Sequence, residues 1–453
     1  MQRESLGSRL GFILLSAGCA IGIGNVWRFP YMVGENGGGL FVIAYVFFLL
    51  ALGVPIMTME YSMGRSSRMS ILPAYKKLEP KGTKWHLFGY FAIAGNYILL
   101  MFYSVVSGWM LRYFILSVTG RFEGQTSEGV TAIYQEMMSS PSQLIIYMLI
   151  TMIITMVVTS AGLQSGVEKV TKVMMIALII IMIGLGIYSV TLPNAAEGVS
   201  FYLMPNAENV KEAGLGHVLY AALNQSFFTL SIGIGSMEIF GSYINKDRSL
   251  VGEAVLVAGL DTFVAIVAGL ITIPACFSFG VAPDNGPSLI FLTLPNVFIS
   301  LKGGRIIGSF FFLFMYFAAL STMIGVFEND VSFSIDIFKF DRKKAALIAG
   351  IVITVGSIPC ALGFNVLSFI QPLKEGNTIM DLEDFIVSNL LLPIGSLITC
   401  LFCTSKYGWG FDKYLEEVNS GEGIKVNKAF KLYFKYVIPA IMLFLIIYGI
   451  ATY

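Results

Sequence analysis

Two stretches of this 453-residue chain repeat the tetrapeptide Ile-Gly-Ile-Gly, one within Ala20 to Asn25 and one within Ser231 to Ser236. Oxygen-bearing side chains stand around them: Asn25, Thr229 and Ser231 at the repeats, and farther along Asp261, Ser321 and Thr322. Amide, hydroxyl and carboxylate oxygens without a His or Cys cluster suit a hard cation such as sodium. Unwound backbone adds carbonyl ligands of the same kind where it lines a cavity inside a protein. Positions 318, 321 and 322 are three and four residues apart and share one helix face. The plainer reading of each residue alone is structural. Glycines serve close packing of membrane helices, and Ser and Thr hydroxyls bond back into their own helix. The coincidence of hydroxyls, amide and carboxylate with two glycine-rich stretches favours a site. His86 and His217 lie near loops, and Cys400-x-x-Cys403 has no histidine nearby, so neither offers transition-metal spacing.

The elements that must position these groups are long apolar runs. The chain is 56% hydrophobic and 13% charged, whereas a soluble domain carries about a quarter charged residues. That excludes an ordinary soluble protein, and a net charge of +1 leaves no basic surplus for nucleic acid. Eleven spans are predicted, at 9–33, 38–64, 86–118, 142–160, 168–192, 217–243, 250–280, 304–338, 343–368, 380–404 and 430–451. Each is roughly long enough to cross a ~30 Å hydrocarbon core. With the N-terminus in the cytoplasm, 22 Lys and Arg fall on the cytoplasmic side and 5 outside, so the C-terminus is expected outside. Arg3, Arg9 and Leu15-Ser-Ala-Gly-Cys19 loosely match a processed leader. Cleavage there would cut into the first repeat, and the segment is read as span 1. The five cysteines are an odd number inside apolar stretches, which argues against a disulfide framework.

Five spans separate the two repeats, so the copies have opposite topology. Glycine costs about 1 kcal/mol against alanine in a helix interior, and paired glycines mark spans 1 and 6 as helices that unwind at mid-membrane. The chain is expected to form a single transmembrane domain over 1–453. Repeat one covers about 9–192, repeat two about 217–404, and an extra helix about 430–451.

Gly22-Ile-Gly-Asn-Val-Trp-Arg-Phe-Pro-Tyr31, Glu35-Asn-Gly-Gly-Gly39 and Ser226-Phe-Phe-Thr-Leu-Ser231 resemble the neurotransmitter:sodium symporter family, in particular its bacterial amino-acid carriers. The match runs from Arg3 through about span 10. It implies an all-α membrane protein, a LeuT-like 5+5 inverted-repeat bundle with broken helices 1 and 6. Here there are 11 transmembrane helices rather than the twelve common in the family. It further implies residence in the bacterial inner (plasma) membrane, and sodium-coupled symport of a neutral, hydrophobic or aromatic amino acid by alternating access. The implied partners are the amino acid, sodium and the lipid bilayer.

Carried over residue by residue, the resemblance implies a first sodium held by the Ala20 carbonyl, Asn25, Thr229, Asp261 and the substrate carboxylate. A second would be held by the carbonyls of Gly18, Ile21 and Ala318 and the hydroxyls of Ser321 and Thr322. Substrate would meet Ala20, Gly22, Gly24, Leu99, Tyr103, Phe228, Thr229, Ser231, Ile234, Thr322 and Val326, with Tyr103 donating to its carboxylate. Monoamine carriers of the family have aspartate where this chain has Gly22, so an amino acid fits better than an amine. Every wall residue is neutral, and a charged side chain would be buried unpaired at severe cost. Ile234 replaces a phenylalanine of a bacterial leucine carrier, which suggests room for a large apolar group. Arg28 with Asp384 would gate the outer side, and Arg3 with Asp336 the inner side. Glu60 is expected to bond to the broken part of span 6. Glu238 is expected to face either the outer vestibule or a buried hydrogen-bond partner.

Asp261 occupies a position where the leucine carrier has asparagine with a glutamate one turn later. Here that later position is Ala265, leaving Asp261 as the carboxylate of this stretch. It is expected to ligate the first sodium and to take the place of chloride, which would then not be required, and to be the group able to carry a proton on the empty return step. The competing class is an intramembrane enzyme. The chain has no HExxH, no nucleophile elbow and no suitably spaced catalytic carboxylate pair, and no enzymatic activity is expected. A sodium channel, the remaining alternative, would need no closed pocket.

Overall fold

The computed structural model of the chain describes residues 4–280 and 289–452. Its spans, α1 to α11, follow the predicted order. The first is bent by 57° between α1a (Arg9–Ala20) and α1b (Gly24–Glu35). It is followed by α2 (Gly39–Ser67), α3 (Trp85–Val118), α4 (Pro141–Ser160) and α5 (Leu163–Val190). The sixth is interrupted, with α6a (Leu215–Thr229) and α6b (Ser236–Gly241) on either side of 230–235, and neither half could cross a bilayer alone. Then come α7 (Leu250–Ser278), α8 (Gly304–Phe338), α9 (Arg342–Leu362), α10 (Ile379–Thr404) and α11 (Lys428–Ala451). Among the described residues, nine of these helices are long and apolar enough to span by themselves.

Polar residues at the edges of the apolar runs set where helices start. Ser8 accepts the Gly11 N–H to open α1a, Ser249 accepts that of Gly252 for α7, and Asp341 accepts that of Lys344 for α9. Thr378 and Asp381 form a reciprocal capping box on α10. Each such cap satisfies amide donors that have no partner inside the helix. One predicted boundary shifts: α9 stops at Leu362 rather than 368. The apolar residues continue, but the Asn365 amide donates to the Met138 carbonyl at 2.9 Å and its oxygen accepts the Val366 N–H at 2.8 Å. Those bonds turn the chain where hydropathy alone would carry the helix on.

The spans differ in how deeply they lie. Of the most apolar window of α8, 83% is buried inside the protein, against 33% for α4, so α8 is a core helix and α4 a peripheral one. Large exposed aliphatics cluster on the periphery: Ile146, Ile150, Ile153 and Val157 on α4, and Val173, Ile180 and Ile187 on α5. A belt of this kind is costly in water and natural against lipid tails. All five cysteines are buried free thiols.

Both breaks fall at the glycine repeats. At Ile21 the backbone is extended (φ −71°, ψ 98°), ending α1a. In the second break Ser231, Gly233 and Gly235 all have positive φ, at 51°, 97° and 78°. Gly233 is required twice over. Its φ is left-handed, and a Cβ there would lie 2.2 Å from the Leu392 carbonyl oxygen.

Candidate functional site

The breaks bring α1, α2, α6 and α7 to one buried carboxylate. Asp261 on α7 is fully buried. Its Oδ1 accepts from Asn25 Nδ2 at 2.8 Å, and Thr229 Oγ1 lies 3.2 and 3.0 Å from its two oxygens. Tyr45 Oη donates to Oδ2 at 3.2 Å. Asn25 is oriented in turn by the Gly22 N–H, which donates to its Oδ1 at 3.0 Å. Among the described residues no Lys or Arg forms an ion pair with Asp261. The donor set, one carboxylate with amide and hydroxyl oxygens, suits a hard monovalent cation. Sequence reasoning misses Tyr45. It sits in an aromatic run, Phe41 to Phe48, that reads as packing, and its polar tip is the only signal there.

A second cluster lies where α1a ends against α8. Thr322 Oγ1 donates to the Gly18 and Ile21 carbonyls at 3.3 and 3.1 Å, and Ser321 Oγ to the Ala318 carbonyl at 3.0 Å. These are the five residues that the family resemblance groups together, and the extended backbone at Ile21 is what leaves its carbonyl without a helical partner.

Between the clusters is a cavity of about 20 Å³ lined by Ala20, Gly24, Leu99, Tyr103, Phe228, Ser231, Thr322 and Leu392. No charged side chain lines it. Tyr103 Oη accepts the Ile23 N–H at 2.6 Å, and Ser231 Oγ donates to the Cys19 carbonyl at 3.3 Å. A Cβ at Gly22 would lie 2.0 Å from Tyr103 Oη and 2.5 Å from Thr322 Oγ1, so this arrangement excludes any side chain at position 22. Ile234 and Val326 are fully buried behind the lining. Leu392 has no distinguishing mark in the sequence.

Tyr103 and Phe228 also border a larger cavity of about 270 Å³, lined further by Trp27, Arg28, Tyr31, Met380 and Asp384 among others. The Arg28 guanidinium stacks 4.4 Å from the Phe228 ring centroid. Asp384 accepts from Ser388 Oγ at 2.6 Å. Arg28 and Asp384 thus share one cavity without forming an ion pair.

The second break is held from three sides. Glu60 Oε1 accepts the Gly233 N–H at 2.6 Å, and the Ile234 carbonyl accepts from Asn96 at 2.8 Å and Asn329 at 3.3 Å. Gln225 Nε2 ties the two breaks together through the Gly24 carbonyl at 2.8 Å. Glu238 is buried on α6b and does not line the cavity beside Arg28.

At the opposite end, Asp336 Oδ2 accepts the Ser70 N–H at 2.7 Å. Arg3, its expected partner, lies outside the described residues. That end carries a network with no signature in the sequence. Arg342 bonds both oxygens of Glu328 at 2.7 and 3.0 Å, and Tyr243 Oη donates to Glu328 at 2.8 Å. Glu4 reaches Arg342 at 3.1 Å, while Glu168 holds the Gly7 N–H and Ser8 Oγ at 2.7 and 2.9 Å.

The sodium:neurotransmitter symporter family model matches residues 3–126 and 125–453. The chain belongs to that family. A sodium-dependent transporter of Bacillus subtilis is 35% identical over 93% of this chain and 91% of its own length. One from Methanocaldococcus jannaschii is 32% identical over 98% of this chain and 89% of its own length. Among solved structures, the crystal structure of MhsT in complex with L-phenylalanine aligns with a TM-score of 0.89 at 37% identity, covering 99% of this chain and 100% of MhsT. The all-helical bundle with its two broken spans is accordingly the LeuT-like fold, and the protein is a sodium-dependent membrane transporter.

Proposed function

We propose that this symporter takes up a neutral, hydrophobic or aromatic amino acid together with two sodium ions. The observation that carries the reading is the central cavity. Its lining is entirely neutral, it offers backbone and hydroxyl groups for a carboxylate and an amine, and it abuts the Asp261 cluster. The L-phenylalanine bound by MhsT supports the same substrate class.

In this reading the first sodium is bound by Ala20 O, Asn25, Thr229 through its carbonyl and hydroxyl, Asp261 and the substrate carboxylate. The second is bound by Gly18, Ile21, Ala318, Ser321 and Thr322. Tyr103 turns its hydroxyl toward the substrate carboxylate when substrate enters. The positive-inside asymmetry supports an orientation with the N-terminus and the Arg342 network on the cytoplasmic side and the Arg28 cavity as an outer vestibule of the plasma-membrane protein. Arg28 and Asp384 then close over the substrate, and release of the second sodium frees α1a so that the cytoplasmic side opens. The two five-span halves, about 9–192 and 217–404, are the inverted repeats that rock against each other. Substrate and sodium bind cooperatively and reciprocally, because the substrate carboxylate is itself a ligand of the first ion.

Asp261 supplies the negative charge beside the first sodium, so chloride is dispensable. Uptake into proteoliposomes is expected to be unchanged in gluconate, and Asp261→Asn to lower sodium affinity or make uptake chloride-responsive. Loss of wild-type uptake without chloride would overturn that role. The substrate class is tested by thermal shift of the purified transporter with each of the twenty amino acids in sodium and in choline. Leu, Phe, Tyr or Trp should stabilise it in sodium alone. A charged amino acid or dopamine as the best ligand, or equal stabilisation in choline, would contradict the reading.

A further inference from the structure

Building on the amino-acid reading of the central cavity, we propose that Leu392 of α10 is the residue that sets the size of substrate side chain the pocket accepts. Leu392 is the one residue of α10 that lines the cavity. Two features of α10 put it there. A π-helical turn over Ile386–Leu391 inserts an extra residue into the coil and rotates the residues beyond it, and the regular helix restarts at Leu392 with Pro393 in its first turn. Single π turns inside α-helices re-aim side chains in this way and recur at functional sites.

Leu392 is also anchored through its backbone. α10 meets the α6 break backbone to backbone. A Cβ on Gly233 would lie 2.2 Å from the Leu392 carbonyl oxygen, and one on Gly395 would lie 1.8 Å from the Gly233 carbonyl oxygen. The break it presses on is fixed in turn, Gly233 by Glu60 and Ile234 by Asn96 and Asn329. A cavity of about 20 Å³ has room for roughly one water, so admitting a side chain requires other walls to withdraw. Phe228 is half-buried and borders the large cavity beside Arg28, so it has space into which to swing. Leu392 is 3% exposed and does not border that large cavity, and its backbone is pressed against Gly233. The substrate side chain is therefore measured against Leu392, with a second layer behind it. There Leu391 and Ile234 fill the space facing Gly95, their nearest atoms 3.0 and 3.3 Å from a Cβ placed on that glycine.

The test is competition binding to the full chain in lipid nanodiscs. It uses one radiolabelled amino acid that the wild type binds, and Ala, Val, Leu, Phe and Trp as competitors in sodium. Leu392→Ala should improve Trp relative to Val by about tenfold or more. Leu392→Phe should weaken Phe and Trp relative to Ala and Val by about the same factor, the scale set by a methylene or more of changed pocket space. Sodium dependence of binding should stay as in the wild type, because Leu392 supplies no oxygen to either proposed sodium site. If the phenylalanine variant does not fold, Gly95→Ala narrows the second layer from the other side and should shift the same ratios in the same direction by about two- to fivefold. Ratios within about twofold of wild type in the folded variants, or a uniform loss of affinity for all five amino acids, would overturn the role of Leu392. A wild type that binds none of them would overturn the amino-acid reading instead.

Discussion

The two ends of the central cavity are closed by different means. On the Arg28 side the barrier is thin. Tyr103 and Phe228 separate the pocket from a cavity of about 270 Å³, and Arg28 leans on Phe228 while Asp384 bonds to Ser388. On the Asp336 side the closure is a charged network several layers deep: Arg342 with Glu328, Tyr243 and Glu4, Glu168 with the segment before α1a, and Arg9 with Glu253 at 2.9 Å. An aromatic lid opens by rotation of side chains. A buried ion pair such as Arg342–Glu328 opens only when α8 and α9 separate, because either partner left behind is an uncompensated charge. The deep closure thus rests on an ion pair between helices, whereas the shallow one rests on two aromatic side chains, with Arg28 and Asp384 unpaired to each other.

The largest effect is expected where the deep seal meets the cation site. Ser321→Ala with Thr322→Ala removes the Thr322 hydroxyl that joins α8 to the carbonyls at the end of α1a and the Ser321 hydroxyl beside it, which bonds to the Ala318 carbonyl of α8 itself, at little loss of packing volume. Sodium-dependent uptake should fall to background while the protein remains folded by size-exclusion chromatography and substrate-independent melting. Wild-type sodium dependence in that variant would move the second site elsewhere.

A smaller effect is expected from breaking the seal itself. Glu328 is fully buried and the Arg342 side chain is 13% exposed. Arg342→Ala leaves Glu328 without its cation, at a cost of about 3–5 kcal/mol to the closed arrangement. Cys19, buried one residue before the end of α1a, reports on that arrangement. In a background keeping Cys19 as the one thiol, maleimide labelling should accelerate about tenfold or more. A rate within about twofold of the parent would mean that the seal does not depend on this pair.

Much of this architecture is legible in the amino-acid sequence. Apolar runs of twenty or more residues announce spans, and the predicted and observed ends agree to within a few residues except at α9, where a side-chain amide at Asn365 overrides hydropathy. The Ile-Gly-Ile-Gly echo marks both breaks because positive φ and backbone contact at Gly233 leave few alternatives to glycine. Asn25 stands with Thr229 and Asp261, and Gly18 and Ile21 with Thr322, groupings that only the family resemblance links in the sequence. Partners defined only across space are a different matter. Tyr45 reads as one aromatic among several, Asn96 and Asn329 as isolated amides, and Leu392 as one more leucine in an apolar run. Glu328 and Arg342 stand on different helices, so no helical periodicity pairs them. Each has a bland reading in sequence, and only the packing of spans distant along the chain gives it a role.

The smallest effect is expected at the shallow end, and it is the sharpest test of the contrast. Because Arg28 and Asp384 form no ion pair in this state, Asp384 contributes to closure only once that pair forms. Asp384→Asn keeps the shape and one acceptor oxygen for Ser388, and it deprives no buried cation of an existing partner. Its cost to the resting protein should match that of an exposed ion pair, below about 1 kcal/mol. Thermal stability of the purified protein without substrate should therefore stay close to wild type, in contrast with the clear drop expected for Arg342→Ala. Adding substrate and sodium should separate the two further, since the benefit of closing over the ligand is reduced in Asp384→Asn while the cation sites are intact. A loss in Asp384→Asn as large as in Arg342→Ala, measured without ligands, would show that both ends are sealed by comparable electrostatics and would remove the asymmetry.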